Sequence, residues 1–257
     1  MILLRQKIYS KEENDEELKR ASRTFIASKI AGLGTGVAVL HNRYKNSPKK
    51  SSLKDIQERE KITEKLVNSG KKKGIKFRLE SEFNLNQRPC YELRGNTVVG
   101  STFEPGIIAH ELGHAHYFND ESAGKLGKYA HKLKNKSRYI SPYSGIVSGI
   151  ISGNEKYKAE KEGREENKAI RHSSYLTPLV FNTPKLISEA AASKKGLELL
   201  KEAGANKALR KKSAKQLGIA FGTYAAGAGV KTASGELFRI GTYKYRKKRE
   251  KKDSKKD

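Results

Sequence analysis

Residues His110-Glu111-Leu112-Gly113-His114 give an H-E-x-x-H pattern near the middle of this 257-residue chain. On a helix the two histidines lie one turn apart on the same face, so both imidazoles can reach one metal ion. Glu111 projects about 100° further round the helix, beside the metal rather than on it. A carboxylate there can accept a proton from water and later pass it to a leaving amine. The pattern therefore predicts Zn²⁺ held by His110 and His114, with Glu111 as the catalytic base.

The residues around this motif favour a half-buried helix. Ser101 or Thr102 can cap its start, and Pro105 is tolerated in a first turn, which needs no backbone donor. The following positions supply an apolar side for the helix: Ile107, Ile108, Leu112, Ala115 and Phe118. Ionisable side chains are costly to bury unless a metal ion or a partner compensates them. We therefore expect a metal site rather than a chance match on a surface helix.

A catalytic zinc ion usually has three protein ligands and an open fourth position, so one ligand has still to be found. Asp120 lies ten residues after His110, a spacing used by zinc peptidases that turn the chain sharply with a glycine. This chain has Tyr117 at the position of that glycine. His116 follows His114 by two residues, so on a helix its side chain points away from the metal face.

Glu189 is the third candidate, and it lies on a helix that is predicted to begin near Thr183 and to end at Gly204. Threonine can cap a helix, the proline that follows it suits a first turn, and glycine is a common helix stop. Small residues near Glu189 would let this helix approach the histidine helix closely: Ala190, Ala192 and Gly196. The sequence therefore favours Glu189 as the third ligand, with Asp120 as the alternative.

Two stretches of the chain resemble a known family. The H-E-x-G-H form of the first motif is followed downstream by Glu189-x-x-Ala192-Ser193 and then by Gly196-Leu197. Together they are similar to the motifs of the neutral zinc metallopeptidase family of bacterial membrane proteins, which are gluzincin-type zincins. Residues 220–226 also resemble the last apolar helix of that family. The resemblance spans roughly residues 55–230.

This resemblance implies a zincin-like fold, zinc ligands at His110, His114 and Glu189, and a general base at Glu111. Ser193 lies four residues after Glu189, where some gluzincins have an acidic residue that orients a zinc-bound histidine through its outer nitrogen. A hydroxyl group at that position could accept the same hydrogen bond more weakly.

No side chain stands out in the sequence as the donor that would stabilise a developing oxyanion. Three residues are candidates, with Tyr224 placed first: Tyr224, His172 and Tyr175. Apart from the oxyanion candidacy of His172, three histidines outside the motif are interpreted as ordinary polar residues: His41, His131 and His172.

Patterning along the chain predicts a mostly helical α+β fold with a small sheet beside the metal-binding helix. Residues 1–50 are expected to form a helical segment and a linker, residues 51–240 the zincin-like metallopeptidase domain, and residues 241–257 a basic, disordered tail. Alternating apolar residues predict a strand at 75–79, and a hairpin is predicted at 90–100 around a Gly-Asn turn.

The expected partners are a peptide or protein substrate and an anionic surface. A peptide could add as a strand to the edge of the sheet, for which Tyr91–Ser101 is the candidate. The chain has 54 Lys and Arg against 28 Asp and Glu, a formal charge of +26, which favours anionic partners. The basic tail could hold the protein at an anionic membrane surface or on nucleic acid. The sequence does not predict an oligomeric state.

The sequence favours a cytoplasmic location. Cys90 is the only cysteine, so no disulfide can form within the chain. The three apolar runs at 24–40, 140–153 and 216–230 have uncharged lengths of about 11, 14 and 15 residues, below the roughly 20 that a membrane span needs. We therefore expect a cytoplasmic protein, with membrane-peripheral contact as the alternative and integral insertion disfavoured. Members of the family that this chain resembles are membrane proteins, whereas the apolar runs here are short. A soluble relative of that family, encoded by a phage or another mobile element, would fit this difference.

Two other functions remain open at this point. One is a non-catalytic structural or scaffold protein that retains a zincin-like fold and binds an anionic partner. The other is a nucleic-acid-binding protein, which rests on charge alone. The intact Glu111 favours the enzyme, because a purely structural metal site needs no general base.

Overall fold

The computed structural model describes residues 2–45, 51–80, 89–120, 124–137 and 139–254. In chain order these residues form α1 (Ile2–Lys45), α2 (Leu53–Lys72), β1 (Lys76–Glu80), β2 (Cys90–Glu92), β3 (Thr97–Ser101), α3 (Pro105–Asn119), α4 (Lys125–Ser137), α5 (Ser141–Glu162), α6 (Lys168–Glu202) and α7 (Lys207–Asp253). The prediction of a mostly helical α+β fold with a small sheet is confirmed.

The three strands form one sheet in the order β1-β3-β2. β3 lies in the middle, since it pairs in parallel with β1 and antiparallel with β2. The hairpin turns at Asn96, whose φ of 47° is a left-handed conformation that asparagine tolerates. The predicted edge at Tyr91–Ser101 was therefore wrong for residues 97–99, which pair with β1 on one side and with β2 on the other. Among the described residues, β2 is the edge strand on this side of the sheet.

Helices α2 and α3 pack against the sheet and form the apolar core around it. Buried aliphatic residues of the helices and strands meet there: Ile62, Leu66, Ile75, Val98, Ile108, Leu112 and Leu200. At Gly70 of α2 an added Cβ would lie 2.5 Å from the ring of Phe77, so glycine permits close contact between helix and strand. This packing fixes one side of α3 against the sheet.

The start of α3 differs in part from the prediction. Pro105 is the first helical residue, as expected, but the residue before it is Glu104 rather than Ser101 or Thr102. The Glu104 side chain makes no capping hydrogen bond. It accepts two hydrogen bonds from the buried guanidinium of Arg43, at 2.9 Å and 2.8 Å, which ties α1 to the start of α3.

The chain divides into two compact units, each assembled from separate segments. The site unit consists of Leu33–Asn135 and Pro184–Tyr224. The second, which we call the serine-lined unit, consists of Met1–Gly32, Lys136–Thr183 and Ala225–Asp257. The predicted division after residues 50 and 240 differs from this one. Composition marks linkers, whereas several of the observed bounds fall inside helices.

Helix α6 is continuous, so its predicted start near Thr183 was wrong. It begins at Lys168, and the Thr183 hydroxyl donates to the carbonyl of Leu179 at 2.9 Å within the helix. The predicted end is confirmed. Gly204 has a φ of 82° and its N–H bonds the carbonyl of Lys201 at 3.0 Å, as at many helix ends.

The prediction of disorder from residue 241 onward was wrong for residues 241–253, which continue helix α7. Residues 255–257 of that prediction lie outside the described residues. Tyr243 and Lys247 both donate hydrogen bonds to the carboxylate of Glu160 in α5. Such contacts between helices stabilise a basic segment that has no apolar pattern of its own.

In the serine-lined unit, glycine residues at the contact between α5 and α7 allow the two helix backbones to lie close together. A Cβ at Gly149 would lie 2.4 Å from the carbonyl oxygen of Gly235, so the backbones meet directly. The buried face of α5 carries small hydroxyl side chains: Ser141, Ser144, Ser148 and Ser152. Its exposed face carries large apolar ones: Tyr143, Val147, Ile150 and Ile151. Along this helix, polar groups are therefore inside and apolar groups outside.

One described stretch, Glu16–Tyr44, is long and apolar enough to cross a membrane by length and composition. Its hydropathy is 1.3, and none of the window that defines it is buried. Lys29 interrupts the apolar run within this stretch, so the uncharged part alone is shorter than a membrane span. Core helices of soluble proteins and signal sequences can have the same length and composition. The cytoplasmic location stays a prediction.

The buried guanidinium of Arg239 lies at the centre of a charge cluster in the serine-lined unit. It is 2.9 Å from Glu17 and 2.9 Å from Glu166, and 2% of its surface is exposed. Burial opposes the ionisation of Glu17, but Arg239 and Lys156 outweigh it and hold the pKa of Glu17 below its ordinary value. A carboxylate of this kind stabilises the fold above its unfolded pKa, and the contribution is lost as the pH falls through the native pKa.

Replacing Arg239 by methionine should destabilise the protein by about 3 kcal/mol at neutral pH, because the carboxylates lose a buried counter-ion. The difference from the unchanged protein should shrink below pH 4.5, the ordinary pKa of Glu17, as this carboxyl takes up its proton. Urea unfolding followed by circular dichroism measures both effects. Arg249→Met removes an exposed charge from the same helix and should leave the midpoint unchanged. Equal destabilisation by the two variants would contradict the role of the cluster.

Candidate metal centre

The predicted metal ligands lie where helices α3 and α6 touch. A Cβ at Gly113 would lie 2.3 Å from the carbonyl oxygen of Ala192, and one at Gly196 would lie 2.8 Å from the backbone nitrogen of His110. Backbone meets backbone at both points, which requires glycine. The predicted contact through small residues is confirmed for Ala192 and Gly196, whereas Ala190 is exposed.

This contact brings His110, His114 and Glu189 together. Glu189 Oε2 lies 3.3 Å from His110 Nε2 and 3.4 Å from His114 Nε2. All three side chains are buried, and their ligand atoms lie within 4.8 Å of one another. Glu189 Oε2 has no hydrogen-bond partner among the residues that the structure describes. The three residues chosen from the sequence as ligands therefore form one cluster.

The charge states of this cluster suit a metal ion. Burial lowers the pKa of His114 to about 3, so its imidazole is neutral at physiological pH. Burial opposes the ionisation of Glu189, but the two imidazoles and Lys134 outweigh it, and the pKa of Glu189 lies below its ordinary range. A neutral imidazole and an ionised carboxylate are the forms that bind metal. A buried carboxylate oxygen without a hydrogen bond, facing two imidazole nitrogens, fits a metal ion.

Two of the predicted ligands each contact a further polar side chain. Ser193 Oγ lies 3.1 Å from His110 Nδ1, the ring nitrogen that faces away from Glu189. The ammonium group of Lys134 donates to Glu189 Oε1 at 2.7 Å, and the other oxygen, Oε2, is the one near the imidazoles. Lys134 lies on α4 and was not identified from the sequence.

A third contact to the predicted ligands comes from His131, which also lies on α4 and was not identified from the sequence. His131 Nε2 lies 2.8 Å from Nδ1 of the predicted ligand His114. The His131 ring is fully buried, which lowers its pKa to about 4, so its interpretation as an ordinary polar residue was wrong. The one signal in the sequence is position, since His131 shares the buried face of α4 with Gly127 and Ala130. A histidine on such a face needs a hydrogen-bond partner.

The Glu111 carboxylate lies beside the ligands and is also buried, with 8% of the residue exposed. The backbone N–H of Tyr91 in the edge strand β2 donates a hydrogen bond to it. Burial raises the pKa of Glu111, and the negative charge of Glu189 adds to this effect. A carboxyl group with a raised pKa is suited to taking up a proton in one step and releasing it in the next.

A cleft of about 480 Å³ opens onto this centre. Its polar lining includes His110, Glu111, Glu189 and Ser193, together with Tyr224 and Arg43. Most of its other walls are apolar and come from α1, α3 and α7: Val39, Leu40, Ile107, Leu217, Ala220 and Phe221. A few convergent polar groups in an otherwise apolar cleft are typical of a substrate site.

Asp120, His116, His172 and Tyr175 do not belong to the His110, His114 and Glu189 cluster. Asp120 Oδ2 is at the end of α3, 3.0 Å from His116 Nδ1, and neither residue belongs to the ligand set. His172 and Tyr175 belong to the serine-lined unit, where the Tyr175 hydroxyl lies 2.7 Å from His172 Nδ1. Of the three oxyanion candidates, Tyr224 is the one in the cleft.

Comparison with known proteins gives no relatives from which a role could be transferred. No protein-family model, no curated protein and no solved structure matches this chain. The functional assignment therefore depends on the geometry and chemistry of the residues described above.

Proposed function

We propose that this protein is a zinc-dependent endopeptidase with a zincin-like fold of the gluzincin type. The observation that supports it most is the position of the Glu189 carboxylate, whose buried Oε2 lies 3.3 Å and 3.4 Å from Nε2 of His110 and His114. Two histidines and one glutamate, with a fourth position open, are a typical ligand set for catalytic zinc. Structural zinc is usually enclosed by four protein ligands.

A zinc ion held by these residues would polarise the scissile carbonyl and activate a water molecule. Glu111 lies in the same cleft as His110 and Glu189, so its carboxylate can take the proton of that water. It can then give the proton to the leaving amine. The hydrogen bond from the Tyr91 N–H keeps the carboxylate oriented through both steps.

Tyr224 is proposed as the donor to the developing oxyanion. Burial raises the pKa of its hydroxyl, and the negative charges of Glu189 and Glu111 raise it further. The hydroxyl therefore keeps its proton at neutral pH, as a hydrogen-bond donor must. The ammonium group of Lys185 lies 4.5 Å from the centre of the Tyr224 ring and holds the ring by a cation–π contact.

The cleft favours a substrate with an apolar side chain next to the cleaved bond. Its apolar walls, which include Leu40, Ile107 and Phe221, would bury such a side chain. Strand addition at the edge strand β2 would be limited, because the Tyr91 N–H is bound to Glu111 and Pro89 has no N–H. We therefore expect the side chain to contribute more to selection than pairing with β2.

An anionic membrane surface is the further partner that the chain favours. The formal charge of +26 attracts anionic lipid, and the exposed face of α5 is apolar. The proposed location is therefore cytoplasmic and membrane-peripheral.

The alternative is a non-catalytic scaffold protein that retains this fold. The ion pair between Lys134 and Glu189, at 2.7 Å, is the observation that favours it. Lys134 compensates the buried carboxylate, so the fold does not depend on a metal ion for that purpose. The buried Glu111, which a scaffold does not need, favours the enzyme.

The direct test is hydrolysis of an unbiased peptide library by the purified, zinc-loaded protein, with products identified by mass spectrometry. We expect cleavage within peptides, an excess of apolar residues at one position beside the cut, and loss of cleavage when a chelator removes zinc. Fully zinc-loaded protein that cleaves no peptide would support the scaffold function. Cleavage that the chelator leaves unchanged would contradict the metal dependence.

A further inference from the structure

Two hydrogen bonds fix the ring of His131, which is 0% exposed. Its Nδ1 lies 2.8 Å from the carbonyl oxygen of Gly127, one turn earlier in the same helix. Its Nε2 lies 2.8 Å from Nδ1 of the ligand His114. The three groups thus form a chain of hydrogen bonds that starts at a backbone carbonyl and ends at a ligand.

The Gly127 carbonyl determines which ring nitrogens in this series of hydrogen bonds carry the protons. A carbonyl oxygen only accepts, so Nδ1 of His131 carries a proton and donates it to Gly127. In the neutral ring Nε2 then has no proton and accepts. The donor to it is Nδ1–H of His114, which leaves a free lone pair on His114 Nε2. That nitrogen is the one 3.4 Å from Glu189 Oε2.

Packing holds the His131 ring in this position. The ring of Tyr117 stacks on it with centroids 5.0 Å apart, and Phe118 meets it edge-on at 5.2 Å. A Cβ at Gly127 would lie 2.2 Å from the Tyr117 ring, so tyrosine packs directly on the backbone of α4. A fully buried ring between two aromatic neighbours has little freedom to reverse its two nitrogens.

We propose that His131 is a positioning residue that holds His114 in the tautomer with its Nε2 lone pair free for a metal ion. This inference rests on the metal site of the proposed function. Ser193 does not fix His110 in the same way, because a hydroxyl can donate as well as accept. His131 selects the binding tautomer of His114 before any metal arrives, so less free energy is lost when the metal binds.

Zinc affinity, measured by competition with a chromogenic chelator, tests the proposal. His131→Phe keeps a ring in the packing but removes the acceptor, and should weaken zinc binding about 10- to 100-fold. His131→Gln places a carbonyl oxygen near the position of Nε2 and should restore most of the lost affinity. His116→Phe is the matched control, since it removes a histidine of α3 outside the ligand set, and should bind zinc as the unchanged protein does.

A second measurement needs no metal. Long-range ¹H–¹⁵N correlation spectra of the metal-free protein report which ring nitrogen carries the proton. We expect Nδ1–H on His114 in the unchanged protein and a shift toward Nε2–H in His131→Phe. If the unchanged protein shows Nδ1–H but binds no zinc, the proposed function fails while the assignment of the tautomer is supported.

Three results would overturn the inference. The first is wild-type zinc affinity in His131→Phe, and the second is affinity in His131→Gln as low as in His131→Phe. The third is Nε2–H on His114 in the metal-free, unchanged protein. Circular dichroism of each variant checks its fold. If His131→Phe does not fold, the ¹H–¹⁵N spectra of the metal-free, unchanged protein still test which nitrogen of His114 carries the proton.

Discussion

Glu111→Gln should retain bound zinc and the native fold and should lose peptide hydrolysis by a factor of about 10² to 10⁴. The amide of glutamine cannot take a proton from water, so the proton transfers of hydrolysis lose their carrier. Its carbonyl oxygen can still accept the hydrogen bond from the Tyr91 N–H, and its volume matches that of glutamate. The loss should therefore appear in the rate and not in stability or metal content.

The measurement combines initial rates on a peptide that the unchanged protein cleaves, zinc content and thermal unfolding. Glu198→Gln is the matched control. It makes the same change on α6 at a partly exposed carboxylate paired with Lys195, and it should keep the full rate. Hydrolysis by Glu111→Gln at the rate of the unchanged protein would remove Glu111 from the proposed mechanism.

The sequence predicts the parts of the site that depend on local spacing. His110 and His114 are one helical turn apart, so any helix through them brings both imidazoles to one face. Glu189 is distant in sequence, but the small residues beside it marked a close helix contact. The structure has that contact at Gly113 and Gly196. Patterns of period and residue size were therefore sufficient to predict that His110, His114 and Glu189 lie together.

The residues that hydrogen-bond to the predicted ligands, His131 and Lys134, could not be predicted in the same way. His131 and Lys134 reach the site because α4 contacts α3 and α6. The only local signal is that His131 shares a helix face with Gly127 and Ala130, and the surrounding lysines make α4 resemble a solvated basic helix. Strand β3 lies at the centre of the sheet because it also pairs in parallel with β1. A turn motif in the sequence predicts an antiparallel hairpin, but it does not predict a parallel pairing of this kind. The helical end of α7 depends on ion pairs with α5. All of these are contacts between segments far apart in sequence.

Removing both histidine ligands should abolish zinc binding. In His110→Ala/His114→Ala only Glu189 of the ligand set remains, and a single carboxylate bound to Lys134 does not hold zinc against a chelator. Glu189→Ala keeps both imidazoles and should bind zinc more weakly than the unchanged protein. Asp120→Ala is the control for the alternative ligand, and it should bind zinc fully, because Asp120 pairs with His116 outside the cluster.

Zinc content per chain, determined by mass spectrometry of the metal after equilibration with zinc and removal of the excess, tests the metal centre most directly. We expect about one zinc ion per chain in the unchanged protein and in Asp120→Ala, less in Glu189→Ala, and none in the double histidine variant. Stoichiometric zinc in the double histidine variant, or full binding by Glu189→Ala beside loss in Asp120→Ala, would contradict a site built from His110, His114 and Glu189.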